Sequence, residues 1–321
     1  MNAIFAIQYF LIVLFLFFIL LLYFKIAEHC NIIDRPNERS SHMYITLRGG
    51  GVIFFIGVGL YYCINGFKYP CFMLGLTLIS AISFIDDIKP VSLKIRLVCH
   101  FCAMLFMFYQ WDLWIYPWWC ILIVLVICTG IINVYNFMDG INGITGGYSM
   151  MVLLFLIYIN KQLAFIDPNF IYIVLLSVLV FNFFNFRVKA KCFAGDIGSI
   201  SMAFILVFMI GQLILQTKDI SYIILLAVYG VDSILTITHR LIRKENIGLP
   251  HRKHLYQIMS NELKIPHIIT SLFYMGLQSL IMLGFFLCFE HRCIYSIIVL
   301  ISLCVGYYMF MKKYFYLHTA N

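Results

Sequence analysis

Charge is scarce in this chain. Of 321 residues only 14 are acidic and 22 are Lys or Arg, and 63% are hydrophobic. The mean hydropathy is +0.97, which excludes an ordinary water-soluble domain, since such a domain has no use for that much apolar surface. Internal repeats, low-complexity tracts and polar linkers are also missing, so one membrane domain over residues 1–321 is expected. No basic segment precedes the first apolar run, and that run is too long for a signal-peptide core. It reads as a retained helix. The 11 cysteines fall mostly inside apolar runs, where a thiol behaves as a small hydrophobe. Neither a disulfide framework nor a zinc site is expected, and no nucleic-acid partner.

Apolar runs fill the chain instead. Eleven spans are expected, at 6–25, 50–66, 69–85, 96–111, 114–134, 144–160, 168–185, 198–216, 220–238, 267–288 and 293–311, each near the ~20 residues that cross a bilayer. Backbone polar groups in lipid must be satisfied within their own segment, so the spans should be helices. The fold class is therefore all-α, a polytopic membrane protein of about ten or eleven transmembrane helices. All but four of the 22 Lys and Arg lie after odd-numbered spans, the exceptions being Lys68, Lys161, Lys218 and Arg292. The positive-inside rule then puts the odd-numbered loops in the cytoplasm and the N-terminus outside.

The few acids cluster at span boundaries on that same side, where a polar site on one face of a bundle would need them. Asp86 and Asp87 are adjacent at the end of an apolar run. Two neighbouring carboxylates repel unless a cation lies between them, and Mg²⁺ is commonly held by one or two carboxylates plus substrate phosphates. Lys94 and Arg96 follow closely enough to contact phosphate oxygens. The plainer alternative is a solvated helix end. Asn133 to Gly143 is dense in oxygen donors; if helical, Asn136, Asp139 and Gly143 share a face. Gly140, Gly143, Gly146 and Gly147 would allow close backbone approach to a ligand, or the segment is simply an Asn/Gly-rich turn.

Asp196, in Gly195-Asp196-Ile197-Gly198-Ser199, precedes the eighth span. It could join the free N–H groups of the helix start in holding a metal–phosphate group, or serve only as an N-cap. His251, Arg252, Lys253 and His254 crowd the most basic loop, suited to a pyrophosphate or to anionic lipid. Arg48-Gly49-Gly50-Gly51 has the composition of a flexible anion loop. Asp232 lies deeper, about a turn and a half inside the ninth span, and a structural pairing with Arg240 or His239 is favoured for it.

Together these segments resemble the polyprenyl-phosphate N-acetylhexosamine-1-phosphate transferases, glycosyltransferase family 4. The similarity runs from Asp34-Arg-Pro-Asn-Glu-Arg-Ser-Ser-His42 to His251-Arg-Lys-His-Leu-Tyr-Gln257 with the motifs in family order. It looks closest to the subgroup that initiates O-antigen, whose donors include UDP-N-acetylated deoxyhexosamines. The resemblance implies Asp86 and Asp87 as the catalytic pair with Lys94 on phosphate, and Asp196 and Asn136 as ligands of Mg²⁺ (Mn²⁺ as substitute). It places Asp139 and Asn142 along the nucleoside pocket, and His251, Arg252 and His254 on the pyrophosphate. Arg48 is counted with the substrate-binding residues. Leu47 stands where the family usually has proline, and Asn142 where it commonly has aspartate.

The implied reaction moves a sugar 1-phosphate from a UDP-N-acetylated sugar to polyprenyl (undecaprenyl) phosphate at the cytoplasmic face of the inner membrane, as the first membrane step of a surface glycan. The implied partners are these two substrates and membrane lipid, with a homodimer left open. The rivals are a flippase for lipid-linked or nucleotide sugars and a non-catalytic scaffold. A carrier needs polar groups at both faces, and the outer loops offer almost none.

Overall fold

The computed structural model describes residues 3–36, 44–246 and 251–319. The Asn37-to-His42 part of the first motif lies outside them. Twelve helices carry the chain among the described residues: α1 Ala3–His29, α2 Val52–Ile64, α3 Pro70–Ile88, α4 Leu93–Gln110, α5 Trp118–Phe137, α6 Ile144–Leu163, α7 Pro168–Asn185, α8 Gly195–Thr217, α9 Ala227–Ile242, α10 Leu255–Gln257, α11 His267–Leu287 and α12 Arg292–Thr319. Ten segments are long and apolar enough to cross a bilayer. The expected second span is the exception: α2 has 13 residues, about 20 Å at 1.5 Å per residue.

Two sets of contacts fix the alternation of the helices. At one end Tyr9 Oη donates to Asn169 Oδ1 at 2.7 Å, Lys68 pairs with Asp167 at 2.6 Å and Arg292 with Asp219 at 3.3 Å. At the other end lie every clustered acid and the glycine loop. There Ile33–Asp34 (β1) pairs antiparallel with Thr46–Leu47 (β2), and Leu47 bridges to Cys192.

α8 is the mast of the bundle, buried along nearly its whole length. Around its far half Phe72 stacks on Phe208 at 4.0 Å between centroids, and Trp111 lies parallel to Phe208 over Gly211. Lipid is as apolar as these rings, so their packing contributes through contact and stacking rather than escape from water. Ser80 and Ser201 join α3 to α8 by a 2.7 Å hydrogen bond.

Span boundaries shift where tertiary contacts reward it. The ninth span opens as a 3₁₀ turn, Ile220–Leu226, before α9. Gln278 of α11 satisfies the break: its Oε1 accepts from Val228 N at 3.2 Å and its Nε2 donates to Ile224 O at 3.0 Å. A broken helix survives in lipid only with such partners. α12 runs eight residues past the expected 311 because Tyr307, Met311 and Phe315 pack on Val231 and Ile258. Cys99 and Cys102, a Cys-x-x-Cys spacing inside α4, are both free thiols.

Candidate active site

The loop before α2 runs beside the strand before α8. Phe193 N donates to Leu47 O at 2.8 Å, Gly50 N to Phe193 O at 2.9 Å and Gly51 N to Ala194 O at 3.0 Å. Gly51 and Gly198 meet so closely that a Cβ on either would strike the other's backbone. The glycine loop is thus not an anion cradle, since the N–H groups of Gly50 and Gly51 are spent on protein carbonyls. Its effect is to deliver Arg48 to the start of α8.

Asp87 receives it there. The Asp87 side chain is fully buried and its Oδ1 lies 2.7 Å from Arg48 Nε. Oδ1 also accepts from Asp196 N at 2.9 Å, and Oδ2 from Ile197 N at 3.0 Å. A carboxylate therefore occupies the free N–H groups of the α8 start, where an anion is favoured, and a phosphate is not needed there. Gly195, at φ +72°, makes room, because a Cβ would approach Asp87 Oδ2 at 2.5 Å. Asp196 is not the N-cap. It stands in the first turn of α8, whose capping position is Ala194.

Asp196 instead faces two guanidinium groups. Arg48 Nη2 lies 3.4 Å from its Oδ1 and Arg96 Nη2 3.1 Å from its Oδ2. Arg96 Nη1 reaches Asp86 Oδ2 at 2.6 Å, and Asp86 Oδ1 accepts from Val91 N at 2.6 Å. Asn136, on the last turn of α5, donates from Nδ2 to Asp196 Oδ1 at 3.2 Å and to Ser199 Oγ at 3.0 Å. Burial opposes the Arg48 charge, but Asp87 and Asp196 outweigh it and hold the guanidinium above its ordinary pKa.

Of the residues expected from sequence, Arg48, Asp86, Asp87, Asn136 and Asp196 converge. Lys94 does not: it is exposed and makes no ion pair or hydrogen bond among the described residues. Arg96 takes that place. The two residues are about 200° apart around α4, so helix phase decides between them, and the charge run alone did not reveal it.

Asn136, Asp139 and Gly143 do not share one helical face. α5 stops at Phe137, and Gly143 adopts φ +82°. Asp139 accepts from Thr145 Oγ1 at 2.6 Å. Burial, then the charges of Asp196 and Asp87, push its pKa up to about 7. Asn142 is buried and donates to Arg187 O and Val188 O at 2.9 and 3.1 Å, while its Oδ1 has no partner among the described residues. The glycines admit protein rather than ligand. The space a Cβ would take belongs to Tyr256 at Gly140, Phe186 at Gly143, Asn182 at Gly146 and Met275 at Gly147.

The His251–His254 loop docks beside this turn. Tyr256 Oη donates to Phe137 O at 2.9 Å, and the His254 ring lies 6.3 Å from that of Phe137. His254 is buried, with Nδ1 3.4 Å from Asp232 Oδ1 and no partner for Nε2 among the described residues. Burial and the neighbouring His254 lower the His251 pKa to about 3, so it is neutral at physiological pH. Lys253 is tied to Glu245 at 2.6 Å, and Arg252 is half-buried without an ion pair among the described residues. Asp232 pairs with neither Arg240 nor His239. It accepts from Tyr274 Oη at 2.6 Å, Leu255 N at 3.0 Å and Thr236 Oγ1 at 3.2 Å. Arg240 turns away to Glu245 and Asn246 O.

Among the described residues no three His, Cys, Asp or Glu side chains form a group able to hold a metal by themselves. The donor set still suits a hard cation. Asp196 offers carboxylate oxygens, those of Asp86 and Asp87 being taken up by Arg96, Val91 N, Arg48 and the α8 N–H groups, and Asn136 would offer its Oδ1 after an amide flip. Mg²⁺ typically completes such a partial set with phosphate oxygens and water.

The model of a family described as "Glycosyl transferase family 4" matches residues 69–214, a stretch that holds Asp86, Asp87, Arg96, Asn136, Asp139 and Asp196. Among curated relatives, a probable undecaprenyl-phosphate N-acetylglucosaminyl 1-phosphate transferase of Bacillus subtilis (strain 168) is 24% identical over 72% of this chain and 70% of its own length. An undecaprenyl-phosphate alpha-N-acetylglucosaminyl 1-phosphate transferase of Escherichia coli (strain K12) is 24% identical over 78% of this chain and 75% of its own. A protein of that same name from Salmonella typhi is 23% identical over 73% and 71%. The acid pair, Asn136 and Asp196 all lie inside the matched stretch, so over residues 69–214 the chain is similar to glycosyl transferase family 4.

Proposed function

We infer that this protein transfers an N-acetylhexosamine 1-phosphate from a UDP-sugar to undecaprenyl phosphate or another polyprenyl phosphate, releasing UMP. The observation that carries the reading is the convergence of Asp86, Asp87 and Asp196 with Arg48 and Arg96 at one end of a bundle of bilayer-length helices. The names of the matched relatives supply the substrate class. An oxygen of the lipid phosphate attacks the sugar-linked phosphorus. The bond from that phosphorus to the bridging oxygen breaks, and UMP carries the electron pair away. A phosphate monoester has a second pKa near ~6, so the attacker is already largely ionised at neutral pH. Asp86 and Asp87 therefore have little proton to remove, and their short bonds to Arg96 and Arg48 suit them to positioning.

Such transfers depend on alignment and on charge neutralisation. Arg48 and Arg96 present fixed positive charge where negative charge gathers. Asp196, the most exposed of the three acids at 17% of its side chain, is the residue we assign to Mg²⁺, with Asn136 beside it. When bound, the ion would neutralise the diphosphate and stabilise the leaving phosphate. Arg252 and the His254 loop, docked next to Asp139, are assigned to the donor's diphosphate and nucleoside side. Lys and Arg concentrate at the end that holds this cluster, which supports a site facing the cytoplasm and an outer N-terminus.

Purified protein incubated with radiolabelled UDP-N-acetylglucosamine and undecaprenyl phosphate should yield labelled lipid and UMP. EDTA should stop the reaction and Mg²⁺ or Mn²⁺ restore it. Movement of label across vesicles without labelled lipid would point to a carrier instead, and a panel of UDP-sugars in the same assay identifies the donor.

A further inference from the structure

The three acids and two arginines form one chain of alternating charge: Asp86, Arg96, Asp196, Arg48, Asp87. The contacts along it are 2.6, 3.1, 3.4 and 2.7 Å. The outer links are short and end on the more buried carboxylates, 10% exposed at Asp86 and 0% at Asp87. The inner links are long and converge on the more open Asp196. Each guanidinium is thus anchored by one edge and loosely engaged by the other. Both loose edges meet on the carboxylate assigned above to the metal.

A divalent cation arriving alone at Asp196 would compete with two guanidinium groups within a few ångströms, and like charges at that range repel appreciably even near a surface. A diphosphate arriving alone would meet three carboxylates. Arriving together, the cation takes Asp196 and the freed guanidinium edges turn to phosphate oxygens, for which their planar N–H forks are suited. We propose that Arg48 and Arg96 make binding of the divalent cation and of the nucleotide diphosphate mutually dependent, by exchanging Asp196 for phosphate. The coupling is reciprocal, as any equilibrium linkage is. It rests on the transferase reading and adds to it an order of assembly: the cation enters as part of the metal–nucleotide complex and leaves with it.

The test is Mn²⁺ binding by electron paramagnetic resonance on the full-length protein in detergent micelles, without lipid acceptor so that no turnover occurs. For the wild type, saturating UDP-N-acetylglucosamine should tighten Mn²⁺ binding by about tenfold or more, within the usual range of coupling between sites. In Arg96→Gln, Mn²⁺ alone should bind several-fold more tightly than in the wild type, and the nucleotide effect should shrink. Arg96→Lys keeps the charge but not the planar fork and should keep only part of the coupling, and a thermal melt of each variant controls for folding. If Mn²⁺ alone binds Arg96→Gln no better than wild type, with an unchanged nucleotide effect, the exchange is overturned while the transferase reading stands. If labelled lipid forms but Mn²⁺ binds no variant under any condition, the metal assignment falls and the exchange falls with it.

Discussion

Asp196 and Asp232 lie at the same end of the bundle, and they are neutralised in opposite ways. Asp196 is held by two long, partly exposed guanidinium arms and one amide, at 3.1 to 3.4 Å. Asp232 is buried, and its partners are a tyrosine hydroxyl, a threonine hydroxyl, the backbone N–H of Leu255 and the buried His254 ring at 3.4 Å. Those side-chain partners are buried and short-armed, whereas Arg48 and Arg96 reach Asp196 by long, partly exposed side chains. The first carboxylate can exchange its company for a ligand; the second fixes the place where α9, α11 and the His254 loop meet. A buried acid in a membrane protein is thus not by itself a sign of chemistry. Partner mobility separates the two roles.

Substitution should break this contrast cleanly. Asp196→Asn should lower transfer by about a thousandfold, the scale of losing a group that neutralises transition-state charge, with an unchanged melting temperature; near-normal labelled-lipid yield would remove Asp196 from the site. Asp232→Ala should act first on stability. It strands a buried tyrosine hydroxyl and a helix-start N–H, and breaking a buried charged network costs about 3–5 kcal/mol. A large fall in the detergent melting temperature is expected, along with faster proteolysis near residue 251. Arg96→Gln should reduce transfer by about 10- to 100-fold, as loss of a charge-assisted contact does, whereas Lys94→Gln should leave it within about threefold, since an exposed cation contributes little. Equal losses would restore Lys94 to the site.

The smallest effect concerns pH. Asp139 has a folded-state pKa of about 7 against an ordinary 3.8. An acid whose pKa rises on folding contributes stability below its unfolded value and loses that contribution as pH climbs through the folded value. The melting temperature of Asp139→Asn relative to wild type should therefore rise between pH 5 and pH 8. Parallel melting curves across that range would show that Asp139 is ionised throughout.

The helical architecture was legible in the sequence because lipid leaves the chain few choices. Long apolar runs had to be helices, and their ends could be placed within a few residues. The ends that moved, as at α12 and in the 3₁₀ opening before α9, did so through contacts with distant side chains such as Gln278. The acids of the site were legible for a related reason, since a carboxylate at a span boundary is rare enough to stand out. The residues offered both Lys94 and Arg96 and the resemblance singled out Lys94, because the choice depends on the phase of α4. The glycines after α5 were read as ligand space or as a plain turn, because nothing in their own segment announces Tyr256, Phe186 or Met275. Asp87 was legible as an important acid, but its place on the N–H groups of α8 required two elements 109 residues apart to be brought together.

That attachment to α8 has a consequence for how the protein tolerates its surroundings. α8 is enclosed by its neighbours, while α1 and α12 present much of their length outward. Changes in bilayer thickness or lipid composition are felt first by the outward-facing helices, as altered tilt. Charged groups rooted in the enclosed helix are insulated from that adjustment. Turnover after reconstitution should therefore vary little across phospholipids of different acyl length, provided the acceptor lipid is kept saturating.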